Sequence, residues 1–482
     1  MPEEYREESD LLGIRKIPKD AYWGVQTLRA QENFGVSLVR LYNYSTLIKA
    51  MAMVKKACAL ANFELEHLAE KEARAIIQAC DEVIAGELED QFVVDMLQGG
   101  AGTSTNMATN EILASRANEI LGHPRNSLNP IDANEHVNMS QSTNDVYPTA
   151  IKIATIYGLR DLSERLEQLI IAMDEKAEEF KDVLKLGRTE MQDAVPIMLG
   201  QEFGAWSAAL KRDHRRIGFA MDVLKTHNIG ATAIGTSLNA DQEYIKLAEK
   251  HLRKVTGLSA LVTAENLVDD TQNTDEFVNV SGLLRVLATN LSKICSDLIL
   301  LSSGPIGGFR EIKLPAVQPG SSIMPGKVNP VILEMVIQCA YTVMGHDTTI
   351  TLAAQAGQLE LNAFEPVIAY NFFQALKVLK NSIPILTEKC IRGIEPNKEG
   401  LDVVHRSIGL VTALNPAIGY KNATKVARIA KETGKSIRAV VLEEGLLDEA
   451  ELDGILDPVR MTRAGIRNQR HKGSSKRKME ES

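Results

Sequence analysis

The run FVNVSGLLRVLATNLSKICSDLILL, residues 277–301, decides the fold. Within it Phe277, Val280, Leu284, Leu287, Leu291, Ile294, Leu298 and Leu301 recur at alternating spacings of three and four. That is the period of an apolar seam on a helix in a left-handed bundle. The spacing predicts a helix over about 271–303, roughly 45 Å long at 1.5 Å per residue. Leu159, Leu162, Leu166, Leu169 and Met173 repeat the pattern. Helices of that length are covered by many neighbours, so a bundle built from several chains fits them. Working outward, the pattern reads as helical from about 147 to 392. Upstream, helices are expected over about 45–62, 66–86 and 107–121.

Composition agrees. Aromatic residues are 5% of the 482 and hydrophobic residues 44%, with Ala, Leu, Ile and Glu plentiful. This favours a large helical core over a β-sandwich or a disordered chain. The length suggests about three domains. We expect a mixed, mainly helical domain over 1–145, a central bundle over 146–394 and a small helical domain over 395–466. Residues 467–482 form a basic tail expected to be disordered. A net charge of −9 argues against a nucleic-acid partner. Five scattered cysteines with no CxxC pair argue against a disulfide framework or a zinc site and fit a reducing cytoplasm. No apolar run is long enough to span a bilayer, and the acidic start does not read as a signal peptide.

Four polar stretches interrupt the helical pattern. Residues 320–330, GSSIMPGKVNP, combine two glycines and two prolines with two hydroxyls, an ammonium and a carboxamide. The breakers forbid a regular element, so this is a loop able to bring a base, anion donors and a cation to one small molecule. Residues 98–106, QGGAGTSTN, read either as a flexible turn before a helix or as an anion cradle. Residues 134–145, NEHVNMSQSTND, read as a helix cap or as donors for a carboxylate ahead of a helical region starting near Tyr147. Residues 187–194, GRTEMQDA, read as a connection between two helices. The small-residue run 228–239, NIGATAIGTSLN, marks close packing or a turn.

Together the stretches are specific. GSSIMPGKVNP resembles the signature of the aspartase/fumarase superfamily. QGGAGTSTNM, QSTND and GRTEMQDAVP resemble its other three active-site regions, in the same order. The similarity runs from about residue 10 to about residue 465. It implies a mainly α, three-domain fold and a homotetramer whose central domains form one helix bundle. Each active site would draw on three subunits. The shared reaction is elimination from a succinyl-type substrate to give fumarate. Its chemistry needs a strong base and preorganised donors for an aci-carboxylate. By resemblance Ser321 is the catalytic base, acting as an oxyanion. Thr103, Ser142, Thr143 and Ser322 would hold the carboxylate that gains charge. Lys327 and Asn329, helped by Thr189, would hold the other one. Asn144 would lie near the leaving group.

Three positions depart from the family pattern. Glu190 stands where fumarases carry His and aspartases His or Gln. Ile306 replaces an Arg, and Ser237 replaces a Gly. A carboxylate at 190 repels malate and attracts an ammonium, at roughly 4 kcal/mol for 4 Å and a dielectric of 20. Glu190 is therefore expected to select an amino leaving group. The expected reaction is reversible deamination of L-aspartate to fumarate and ammonia by anti elimination, without an organic cofactor. Some relatives are activated by Mg²⁺, but no residues here form a recognisable metal-ligand cluster. The alternatives are a class II fumarase, a lyase for an N-substituted aspartate, and a non-catalytic structural oligomer.

Overall fold

A computed structural model describes residues 4–125, 127, 129–463 and 465. The basic tail 467–482 lies outside them. The chain is mainly helical and forms two compact units. Unit 1 comprises Met1–Arg165, Asp213–Thr289 and Gln338–Asn381. Unit 2 comprises Leu166–Arg212, Asn290–Ile337 and Ser382–Ser482.

Among the described residues five helices of 25 residues or more dominate. They are Thr143–Glu179, Leu199–Val223, Asp275–Leu301, Val331–Gln355 and Glu365–Lys389. Every member of the two predicted apolar seams is buried, from Leu159 to Met173 and from Phe277 to Leu301. In unit 1 the Ala-rich helix Ser45–Glu64 packs on Glu70–Ala85 and on Gln242–Thr256. Small side chains such as Ala50, Ala57 and Ala61 permit the close approach. Phe277 meets Phe372 edge to face with ring centroids 6.0 Å apart. In unit 2, Phe180, Phe203 and Trp206 form an edge-to-face series with centroids 5.3 and 5.0 Å apart. Also in unit 2, residues 414–455 build a small core from Leu414, Val426, Ile437, Val441, Leu452 and Ile455.

The expected helices near 45–62 and 66–86 are present as Ser45–Glu64 and Glu70–Ala85. Three expectations are corrected. The long helix predicted over 271–303 spans Asp275–Leu301, because Asn273 ends a separate short helix, Leu267–Gln272. Two helices begin earlier than expected, at Thr103 and at Thr143. Their polar first turns carry no apolar period, so hydrophobic spacing alone places the start too late. Finally, the pattern is not helical throughout 147–392. Leu184–Thr189 and Gln192–Met198 form an antiparallel hairpin between two long helices. Residues 224–241, 302–330 and 356–364 are largely irregular.

Candidate active site

The 320–330 stretch is a loop, as its breakers require. It closes on itself at the base. Gly320 N donates to Lys327 O at 2.7 Å, and Asn329 Nδ2 donates to Gly320 O at 2.6 Å. A side chain at 320 would meet Asn329 N at 2.7 Å, so this crossing requires glycine. Inside the loop, Ser321 Oγ accepts from Ile323 N at 3.2 Å and Met324 N at 3.1 Å. Two backbone dipoles thus point at this oxygen, an arrangement that favours its anion over a free hydroxyl's. Ser322 and Lys327 are exposed, while Asn329 is half-buried with its amide engaged in closing the loop.

Thr189 and Glu190 also belong to unit 2, at the tip of the hairpin. Thr189 pairs with Gln192, leaving Glu190 and Met191 as a two-residue turn with φ of 52° and 63°. Positive φ at both central residues matches the twist of a tight hairpin. Both Thr189 and Glu190 are exposed. The base of the hairpin is fixed by buried charge. Glu311, fully buried, takes Arg188 at 2.6 Å and Lys185 at 3.1 Å. Lys185 also meets Glu202 at 2.7 Å, and Arg188 lies 4.1 Å over the Phe309 ring.

Unit 1 supplies the other candidates at two helix starts. Thr103 begins the helix Thr103–Ile120, and its hydroxyl donates to Gly100 O at 2.7 Å. Gly102 precedes it at φ 91°, with the Tyr147 ring so close that any Cβ would lie 2.2 Å from it. Ser142 caps the helix Thr143–Glu179, its Oγ accepting from Asn144 N at 3.2 Å. Thr143 Oγ1 accepts from Asn106 Nδ2 at 3.1 Å. Asn144 Nδ2 donates to Ala233 O at 2.6 Å. Thr103 and the 142–144 run therefore share unit 1. Ser321, Ser322, Lys327, Asn329, Thr189 and Glu190 share unit 2.

Beneath the 142–144 run lies a buried polar scaffold that single-residue reading of the sequence passed over. Asn138 Oδ1 accepts from Lys55 Nζ, Asn106 Nδ2 and Asn110 Nδ2, at 3.0, 3.1 and 3.1 Å. Lys55 also donates to Gln141 Oε1 at 2.9 Å. Burial lowers the Lys55 ammonium to about 8 and raises the Asp145 carboxyl to about 7. The density of Asn, Gln and Ser over 134–145 was the available signal for this scaffold.

A cavity of about 450 Å³ in unit 1, lined by Glu8, Tyr22, Glu111 and Asp132 among others, contains none of the candidate residues. A second, of about 240 Å³, borders Gln98, Gly99 and Gly100 on one side and Phe364, Pro366 and Val367 on the other. Among the described residues no group of three or more His, Cys, Asp or Glu side chains could hold a metal ion. None of the helices described is long and apolar enough to cross a membrane.

Comparison with known proteins places these features in context. A family model described as lyase matches residues 13–345, and one described as fumarase C C-terminus matches residues 410–463. An aspartate ammonia-lyase of Bacillus subtilis (strain 168) is 50% identical over 464 residues, covering 96% of this chain and 97% of its own. One from Escherichia coli (strain K12) is 51% identical over 457 residues, covering 94% and 95%. Among solved structures, the fumarate lyase:delta crystallin of Brucella melitensis bound to cobalt has a TM-score of 0.93 at 49% identity, covering 96% of this chain and all of that one. A class II fumarase from Schistosoma mansoni has a TM-score of 0.91 at 34% identity, covering 95% and 99%.

Proposed function

The chain belongs to the lyase family, and on that premise we propose that it is an aspartate ammonia-lyase, reversibly converting L-aspartate to fumarate and ammonia. The observation that carries the mechanism is the pair of N–H donors on Ser321 Oγ. A free hydroxyl is far too weak a base to take a proton from the carbon beside a carboxylate. Donors already aimed at the oxygen stabilise its anion and so favour that role. Ser321 takes the proton from that carbon, and its bonding pair moves into the neighbouring carboxylate to give the aci-carboxylate. The pair then returns to form the carbon–carbon double bond. The carbon–nitrogen bond breaks on the opposite face, its electrons leaving with ammonia.

Thr103, Ser142, Thr143 and Ser322 would steady the carboxylate that gains charge. Lys327, Asn329 and Thr189 would hold the other. Glu190 would meet the ammonium, with Asn144 near the leaving nitrogen. The exposed positions of Thr103, Thr189, Glu190, Ser322 and Lys327 fit a site completed by other copies of the chain. We accordingly read the molecule as a homotetramer with sites shared by three subunits. Large apolar side chains left exposed on long helices, such as Phe219, Tyr341 and Leu352, support that assembly. The expected compartment is the cytoplasm, and no organic cofactor enters the scheme. Mg²⁺ activation is assigned to no residue.

Following fumarate absorbance with L-aspartate and then with L-malate tests the assignment. Formation from aspartate alone is expected. Formation from malate alone would overturn it in favour of a fumarase.

A further inference from the structure

Pro148 leaves a vacancy in the helix that carries the polar run. It has no N–H, so the carbonyl four residues back, on Asn144, loses its helical partner. Asn228 fills that role, its Nδ2 donating to Asn144 O at 2.9 Å. Asn228 is itself fixed and buried. Its Nδ2 also donates to Thr271 Oγ1 at 3.0 Å, and its Oδ1 faces Thr149 Oγ1 at 3.4 Å. Five residues on, Ala233 O takes the Asn144 side-chain amide. The backbone and the side chain of Asn144 are thus both held by the 228–233 segment.

That segment is costly to hold. Within it Thr232 and Ala233 have φ of 46° and 35°, and Ser237 and Asn239 just beyond it have 59° and 63°, all non-glycine residues at positive φ. Thr232 is β-branched, a residue type that strongly disfavours this region. Something must over-determine the conformation. Bonds within residues 231–238, such as Ser237 N to Ala231 O at 2.7 Å and Thr232 Oγ1 to Leu238 O at 2.8 Å, do so together with the Asp145 carboxylate. One oxygen accepts from Ser142 N at 3.1 Å, and the other accepts from Gly230 N and Thr232 N, each at 3.2 Å. A helix-capping carboxylate needs only the first of these contacts. The other two tie the strained segment to the start of the helix, and the carboxylate is fully buried in doing so.

We propose that Asp145 and Asn228 are positioning residues that aim the Asn144 amide at the leaving nitrogen, with Ala233 O as the stop it rests against. This rests on the reading that Asn144 lies beside that nitrogen. Neither residue touches substrate. They act by fixing Asn144; Asp145→Asn keeps an oxygen for Ser142 N and loses only the acceptor for Gly230 N and Thr232 N, so the effect falls where the amino group is handled rather than where the carboxylates are held.

The reverse reaction separates these effects, because ammonia and fumarate are varied independently. Asn144→Ala sets the reference, and Asp145→Asn, Asn228→Ala and each double variant with Asn144→Ala are measured beside it. The expected result is that each single variant raises the apparent KM for ammonia about tenfold while that for fumarate stays within about twofold. Each double variant should be no worse than Asn144→Ala alone, as expected for residues that act through Asn144. Because Asp145 and Asn228 are buried, Ala233→Pro provides a route that leaves them intact. It forces φ near −65° at an exposed position and moves the carbonyl, so it should raise the ammonia KM in the same way. If Asn144→Ala shows the selective rise but Asp145→Asn, Asn228→Ala and Ala233→Pro do not, or if the effects add in the double variants, the positioning role is overturned and the Asn144 reading stands. If Asn144→Ala leaves the ammonia KM unchanged, the Asn144 reading fails and the inference falls with it.

Discussion

In the proposed mechanism Ser321 and Glu190 divide the residue-scale chemistry. Ser321→Ala removes the oxygen held by Ile323 N and Met324 N. The expected loss in kcat is roughly a hundredfold or more, with unchanged assembly and melting temperature, since the side chain is half-exposed. Near-normal turnover would remove Ser321 from the mechanism. Glu190→Gln keeps the shape of the hairpin tip and deletes its charge. It should raise KM for L-aspartate severalfold, and improved aspartate turnover would contradict a contact with the ammonium. A third residue carries a pH signature unrelated to chemistry. Burial lowers the His227 imidazole from 6.5 to about 4, and its Nδ1 accepts from Ile229 N at 3.3 Å. The folded state resists the proton that the unfolded chain takes up. This contribution is intact above pH 6.5 and fades as the pH falls towards 4, by about 3 kcal/mol in total. His227→Gln should flatten the decline in melting temperature between those values. The candidate side chains stood out in the sequence because hydroxyl, ammonium and amide groups cluster in the four stretches that resemble the family's. The donors on Ser321 did not, since they are main-chain groups whose direction depends on the loop closing at Gly320 and Asn329.

At the scale of elements, the hairpin Leu184–Met198 shows what pattern reading misses and why. Its turn, Glu190 and Met191, lacks the Gly or Asn that usually announces positive φ. Its alternation is also broken, because Lys185 is buried beside Leu186. Lys185 can be buried only because Glu311, from far along the chain, and Glu202, from the helix that follows the hairpin, meet it. Such pairing has no local signature. The long helices, by contrast, were legible from their seams, because an apolar stripe recurs with the helical period whatever covers it. The hairpin should therefore depend heavily on Glu311. Glu311→Gln leaves Lys185 and Arg188 facing a neutral amide in a buried setting. A destabilisation of about 3–5 kcal/mol is expected from breaking such a cluster, read as a lower midpoint in denaturant. A midpoint unchanged from the parent would show that the network contributes little.

On the scale of the whole molecule, a site shared among subunits makes a prediction that a self-contained site does not. On the proposed reading, the Thr103→Ala and Ser321→Ala proteins should each be nearly inactive. Unfolding the two together and refolding them as mixed tetramers should restore activity, to roughly a quarter of the parent if the two residues reach each site from different copies. Mixtures no more active than their components would place both residues of a site on one chain. Light scattering on the parent should give a mass near four times 52.9 kDa. Sequence alone could suggest that assembly through long apolar seams and family resemblance. It could not separate the side chains buried within one chain, such as Leu287, from those left outside, such as Leu352. Both are leucines on long helices, and only the packed structure distinguishes them.

The loop around Ser321 has one more consequence. The donors that prepare its oxygen are two and three residues further along the same closed turn. In the proposed role of base, Ser321 therefore carries its own solvation with it. Any displacement of the loop would take the oxygen along inside the same pair of dipoles, much as an ion keeps its inner hydration shell while it diffuses. Approach to the substrate and activation of the base become separate events, and a substitution in the surroundings can slow the first while leaving the second untouched.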